Sequence, residues 1–269
     1  MSRLVFLVSL LISTNLAWAA TESKCRGLAL EGGGDKGSYQ AGGVKGLVYN
    51  LSPEEVAYDV VSGISVGSLN TLAFAMFPKG EEKNVTTYMS DLWDTVNKQD
   101  VFKSWFPGGA LQGFFFEKGL YNTDPLRELL DEKLGPNHQA RSAYMGTTDQ
   151  DTGKLWVYHN LDLNRENFIN SVMSSSAFPF EFPFQNWNGQ SYTDGGCKIN
   201  LNVYSIIEEC RKRGFDDKDI IIDAVMCSSD FLTPFPPTGE NTINVLTRLR
   251  NIMSYDKLMY YIAQSKQSY

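Results

Sequence analysis

Apolar positions along this 269-residue chain recur with two different periods, and the order in which the periods alternate predicts its elements. From Arg26 to Leu30 a short apolar run of strand character enters Gly32-Gly33-Gly34. Val44, Leu47, Val48 and Leu51 then recur at i, i+3, i+4 and i+7, the stripe of an amphipathic helix. Tyr58 to Val61 predicts a second strand ended by Gly63, and Leu69, Leu72, Ala73 and Met76 trace the helix after it. Asp124 as N-cap and Pro125 at the first turn predict a helix to Leu134. Two extended runs, 143–148 and 154–159, flank a turn at Asp149 to Gly153 and predict a hairpin. A helix over 164–176 precedes a Phe/Pro-rich stretch, another covers 206–213, and Ile220 to Cys227 has the β-branched character of a strand buried in a covered sheet. Strands alternating with helices imply an α/β domain with a mostly parallel sheet.

The first twenty residues differ from the rest. Arg3, an apolar run from Leu4 to Ile12, and small residues at Ala17, Ala19 and Ala20 read as a secretory signal peptide over 1–20, leaving a single domain over 21–269. That run is too short to span a hydrocarbon core of about 30 Å, so a soluble, secreted or lumenal mature chain is expected. Net charge is −7, with Lys and Arg scattered, which removes the electrostatic footprint of a nucleic-acid binder and argues against strong recruitment by anionic lipid. Cys25, Cys197, Cys210 and Cys227 enter an oxidising compartment on this reading and allow three pairings, among which the sequence does not choose. With two histidines and no C-x-x-C or H-x-x-x-H spacing, no metal site or cofactor is expected. Asn84-Val85-Thr86 is a glycosylation sequon, and Asn50-Leu51-Ser52 a weaker one because Pro53 follows.

Candidate chemistry centres on Gly63-Ile64-Ser65-Val66-Gly67, a G-x-S-x-G between a predicted strand and a predicted helix. There a nucleophilic serine stands on a sharp turn, and Gly63 and Gly67 allow strand and helix to pack closely. The same pattern also describes a serine N-cap. His138 and His159, the ordinary partners of such a serine, lie in no catalytic setting and read as surface or edge residues. Asp194-Gly195-Gly196, at the end of an extended segment, offers a carboxylate base but reads equally as a turn. As a base it requires water-poor surroundings. Gly32-Gly33-Gly34-Asp35-Lys36-Gly37 can converge backbone N–H groups on an oxyanion at a helix N-terminus. It also matches G-x-G-x-x-G, but Glu54 and Glu55 fall before the second strand rather than at its end, and a secretory leader disfavours nicotinamide chemistry.

Taken together, the GGGDKG, GISVG and DGG motifs, with the segment SVMSSSAFPFEFPF from Ser171 to Phe184, resemble the patatin-like phospholipase family over about 25–227. The resemblance implies a three-layer α/β/α fold and a Ser65–Asp194 dyad that needs no histidine. It also implies an oxyanion hole from the loop Gly32, Gly33, Gly34, Lys36 and Gly37, with Gly33 and Gly34 as donors. Gly195 and Gly196 complete the base motif. The implied activity is that of a lipid acyl hydrolase, phospholipase A or general esterase, working through an acyl-enzyme without cofactor, on a lipid or other acyl ester, with transient contact to a membrane or micelle surface. A lipid-binding or storage protein on the same scaffold is the alternative.

Two aromatic stretches are candidates for acyl contact. One carries Phe102, Trp105, Phe106 and Phe114 to Phe116 around Pro107-Gly108-Gly109, with a flexible cover expected at 107–113. The other alternates Phe178, Phe180, Phe182 and Phe184 with prolines.

Overall fold

The computed structural model describes residues 24–228 and isolated helical positions between 244 and 259. The expected signal peptide over 1–20 lies outside the described residues.

Strand β1 (Cys25–Leu30) leads through the glycine loop, partly a 3-10 turn, into α1 (Gly37–Asn50); α2 (Pro53–Val56) precedes β2 (Val60–Ile64) and α3 (Val66–Met76). Then come α4 (Glu82–Thr95), α5 (Lys98–Val101), β3 (Lys103–Ser104), α6 (Gly109–Phe116), β4 (Tyr121–Asn122) and α7 (Asp124–Lys133). The chain continues through β5 (Ser142–Asp149), β6 (Leu155–His159), α8 (Arg165–Ser175), β7 (Gln185–Trp187), β8 (Gln190–Asp194), α9 (Tyr204–Lys212) and β9 (Ile220–Val225).

The main sheet runs β7-β8-β5-β2-β1-β9, with β6 also on β5; β9, β1, β2 and β5 are parallel, β6 and β8 pair antiparallel with β5, and β7 pairs antiparallel with β8. Successive strand residues face opposite sides, and both sides are covered. Leu28, Leu30, Val61, Ala143 and Met145 pack under α1, α3, α4, α7 and α8. Cys25, Ala29, Val60 and Tyr144 pack under α9 with Leu201, Ile206 and Ile207. The result is a three-layer α/β/α arrangement with a mostly parallel centre. A disulfide, Cys25–Cys210, joins the first strand to the helix covering it and resolves the pairing that the sequence left open.

Several boundaries differ from expectation. Gly63 does not end β2: it pairs with Leu30 and Met145 inside the sheet. Asp124 is not the N-cap of α7; Thr123 precedes the helix, and the Asp124 carboxylate turns outward to the Asn122 amide at 2.8 Å. β9 is shorter than expected and only partly covered beyond Ile220, because β1 pairs with one of its edges and α9 covers one face. Helix α4 was not among the expected elements, although Val85, Tyr88, Met89, Leu92 and Trp93 recur at helical spacing and Val85 and Met89 enter the core. It docks through the buried Arg141–Glu82 ion pair, 2.7 Å long.

Candidate active site

Three loops meet at the carboxyl end of β2, where open α/β sheets place their ligand sites. The first is the turn at Ser65, the candidate nucleophile. Ser65 has φ 55° and ψ −125°, a conformation rarely adopted by a residue with a side chain, and stands between β2 and the first turn of α3. Gly63 and Gly67 make the turn possible: a Cβ on Gly63 would overlap the Gly67 carbonyl, and one on Gly67 would overlap the Leu30 carbonyl. Close packing at Gly67 therefore brings the end of β1, where the glycine loop begins, against the Ser65 turn.

The second loop carries the carboxylate, and strand register places it. Ile64 stands opposite Gly146 of β5, and Asp194, ending β8, stands opposite Thr147. Because β6 occupies the other edge of β5 over 144–148, β2 and β8 share one edge, and Asp194 follows Ile64 by a single step, about 3.3 Å. A Cβ on Gly195 would meet the Ile64 side chain at 3.2 Å. Asp194 is 2% exposed, the water-poor setting that a carboxylate base requires, and its Oδ1 accepts the Gly196 amide at 2.7 Å.

The carboxyl end of α8 ties the two together. The Ser65 amide donates to the Ser175 hydroxyl at 2.9 Å, the Ser176 hydroxyl to the Ser65 carbonyl at 3.3 Å, and the Asp194 amide to the Ala177 carbonyl at 2.9 Å. Three consecutive residues thus hold serine and aspartate in one frame.

The third loop is the glycine run. The Gly32 amide donates to the Asn200 carbonyl at 3.0 Å, so within the predicted oxyanion set it serves as an anchor instead of a donor. Its missing side chain allows close approach: a Cβ there would lie 3.1 Å from Ser65 Cβ. Lys36 turns away, its Nζ donating to the Cys227 carbonyl at 2.7 Å and its amide to Gly33 at 3.3 Å. Gly37 packs beneath Trp93 and Val66. Among the described residues the Gly33 and Gly34 amides donate to no protein acceptor, and Gly34 has φ 60°.

The sequence did not point to Glu31 or Asn200. Glu31 is fully buried and accepts four hydrogen bonds: Asn200 Nδ2 at 2.9 Å and Ser228 Oγ at 2.7 Å on Oε1, and the Cys227 and Ser228 amides at 2.6 and 2.8 Å on Oε2. Asn200 Nδ2 also donates to the Gly32 carbonyl at 2.9 Å. The glycine loop, the loop after Asp194 and the end of β9 are thereby joined through one carboxylate. Cys227 lies against Gly33, and burial, then the Glu31 charge, push its thiol up to about 11, so it backs the loop as a neutral group. A polar residue beside a glycine run carries no periodicity signal, which is why neither residue was legible.

The histidines lie at the opposite end of the sheet. His159 bonds Ser142, which pairs with Val60 at the start of β2, about 13 Å of strand away from Ile64, the residue before Ser65. His138 stacks on Phe168, two residues before Ala140 bonds Ala75 near the far end of α3. Asn84 is exposed on the first turn of α4, although the Thr86 hydroxyl of its sequon is buried against the Lys83 carbonyl. Glu55, weighed for a dinucleotide, instead closes a capping box with Ser52.

No match is found among curated proteins. Among solved structures the chain is similar to VipD from Legionella pneumophila, with 14% sequence identity and a TM-score of 0.42; the alignment covers 85% of this chain and 52% of that one, so the chain spans about half that protein's length. The family model for patatin-like phospholipase matches residues 28–207, the stretch that contains the glycine loop, the Ser65 turn and the Asp194 loop. The chain belongs to the patatin-like phospholipase family, a family of lipid acyl hydrolases.

Proposed function

We propose that this protein is a secreted lipid acyl hydrolase, a phospholipase A or general acyl esterase, acting through Ser65 and Asp194. The observation that carries the reading is the register on β5, which sets Asp194 one step beyond Ile64 and so beside the strained Ser65 turn. In this mechanism Asp194 accepts the Ser65 proton as Oγ attacks the ester carbonyl. The Gly33 and Gly34 amides hold the oxyanion of the tetrahedral intermediate; as it collapses to the acyl-enzyme, Asp194 returns the proton to the departing alkoxide, which leaves as the alcohol. Water, deprotonated by Asp194, then adds to the acyl-enzyme, and the fatty acid leaves as Ser65 regains its proton. The Cys25–Cys210 disulfide supports an oxidising compartment, and with it secretion.

The test is labelling by a fluorophosphonate together with turnover of a short-chain nitrophenyl ester. Ser65→Ala is expected to abolish both. Asp194→Asn is expected to lower turnover by about 10³-fold or more with the fold intact. An intact protein that neither labels nor hydrolyses would instead be a lipid-binding protein on this scaffold.

A further inference from the structure

The segment between α5 and α7 forms a small module in which α6 bridges the β3–β4 ribbon. Its base is closed by Trp105 Nε1, which donates to the Gly119 carbonyl at 3.0 Å, and by the Gly109 amide on the Trp105 carbonyl at 2.8 Å. From Ser104 to Phe116 the chain carries no charged residue, although 20% of all residues are charged. Its apolar side chains face outward. Phe106 is 92% and Phe116 84% exposed; Leu111, Phe114 and Phe115 are exposed as well, and Phe114 meets the exposed Phe180 edge-on at 6.2 Å.

Every exposed phenylalanine among the described residues belongs to this patch. Burying such rings stabilises, so a contiguous group left in water marks a surface with a partner. Charge at the rim identifies the partner. Lys98 lies over the Phe102 ring at 5.0 Å, Lys118 over the Phe184 ring at 4.6 Å, and exposed Lys103, 4.0 Å from the Asp124 carboxylate, precedes the uncharged run. Glu117, at the other end, is engaged by Gln112 at 2.9 Å. An apolar centre with lysine stems along its margin suits acyl chains in the middle and phosphate groups around them. The net charge of −7 favours a zwitterionic surface over an anionic one.

The patch is also continuous with the site. Leu120 and Tyr121 donate to the Phe180 and Glu181 carbonyls at 3.0 Å, and three residues before Phe180 stands Ala177, which holds the Asp194 amide. We infer that the α6 patch docks this protein on a phospholipid surface and so presents the Ser65 site to the lipid. The inference deepens the proposed hydrolase reading, but docking can be measured apart from catalysis.

The experiment uses full-length Ser65→Ala protein with phosphatidylcholine vesicles in a flotation assay. Binding is expected, and adding Phe115→Asp and Phe116→Asp is expected to weaken partitioning by about tenfold or more. In the protein with Ser65 intact, the same pair should lower vesicle hydrolysis and leave nitrophenyl ester turnover and the melting temperature unchanged. Unchanged partitioning, or no binding by the parent protein, overturns the proposal. So does protection of Phe115 and Phe116 from hydroxyl-radical footprinting without lipid, which assigns the patch to a second copy if sedimentation shows a dimer and to the chain's own residues if it shows a monomer. Vesicle binding without ester turnover would keep the docking surface and sink the hydrolase.

Discussion

Ser65 donates its amide to the Ser175 hydroxyl at 2.9 Å, and that hydroxyl donates onward to the Gly146 carbonyl at 2.6 Å. The bond fixes a serine whose backbone sits in a rarely populated region, and it spans from the nucleophile turn to the strand that also pairs with Asp194. Ser175→Ala leaves a partly buried amide without its acceptor, at about 1–3 kcal/mol. The expected outcome is a kcat lower by about 10- to 100-fold with KM little changed, since the substrate would bind the same walls but meet a misplaced nucleophile. Steady-state kinetics on a soluble ester read this directly, and an unchanged kcat would remove Ser175 from the positioning frame.

Glu31 is the second positioning residue. Its two oxygens accept four donors, two of them backbone amides on Oε2. Glu31→Gln sets an amide against one of these donor pairs, and each buried donor left without an acceptor costs about 1–3 kcal/mol. Urea unfolding should show a clear fall in midpoint, and kcat should fall with it because the glycine loop loses its tie through Asn200. Equal stability and activity would show that the loop holds its shape alone.

The Cys25–Cys210 bridge closes a loop of 185 residues between β1 and α9. Replacing both cysteines by serine frees the unfolded chain and should lower stability by about 2–5 kcal/mol. The fold should survive, because Ile206, Ile207 and Leu201 still cover that face of the sheet. Thermal melting of oxidised, reduced and double-serine proteins tests this; three coincident curves would mean the bridge constrains little.

His159 supplies a pH dependence. Its ring stacks on Tyr144 at 4.4 Å and bonds the Ser142 hydroxyl at 2.8 Å. Burial lowers its pKa from the ordinary 6.5, the nearby Asp162 and Glu209 opposing the shift and Lys212 adding to it. A depressed folded-state value means that the unfolded chain binds the proton more readily. Its contribution is therefore complete above the unfolded value of 6.5, declines as pH falls from there toward the folded value, and is flat below that. His159→Gln should reduce the stability difference between pH 7.5 and pH 5.5 in urea titrations. A slope as steep as the parent's would assign the dependence to other groups.

Local chemistry along the chain was sufficient for much of this. Glycines on either side of Ser65, the strand-to-helix alternation of period, the hairpin around Asp149 to Gly153 and the Asp-Gly-Gly turn each depend on neighbouring residues alone, so one dimension records them. Less legible was α6, whose apolar face has no core beneath it; the Val85, Met89, Leu92 stripe of α4 was in the sequence, and what the fold added there was the ion pair to the distant Arg141.

Only the folded chain could decide which distant residues meet. Asp194 is 129 positions from Ser65, and its local pattern alone reads equally as an ordinary turn; the family resemblance paired the two, and the register on β5 makes them neighbours. The histidines fell away for the same reason: pairing with β5 set His159 near the start of that strand, and His138 sits in the loop that enters it. Cys25 found Cys210 because α9 lies across β1, and Glu31 gathered donors from Asn200, Cys227 and Ser228, which no local pattern connects to it. Periodicity encodes which face of an element is buried, whereas pairing register and the packing of layers, set by the whole sheet, determine what lies opposite it.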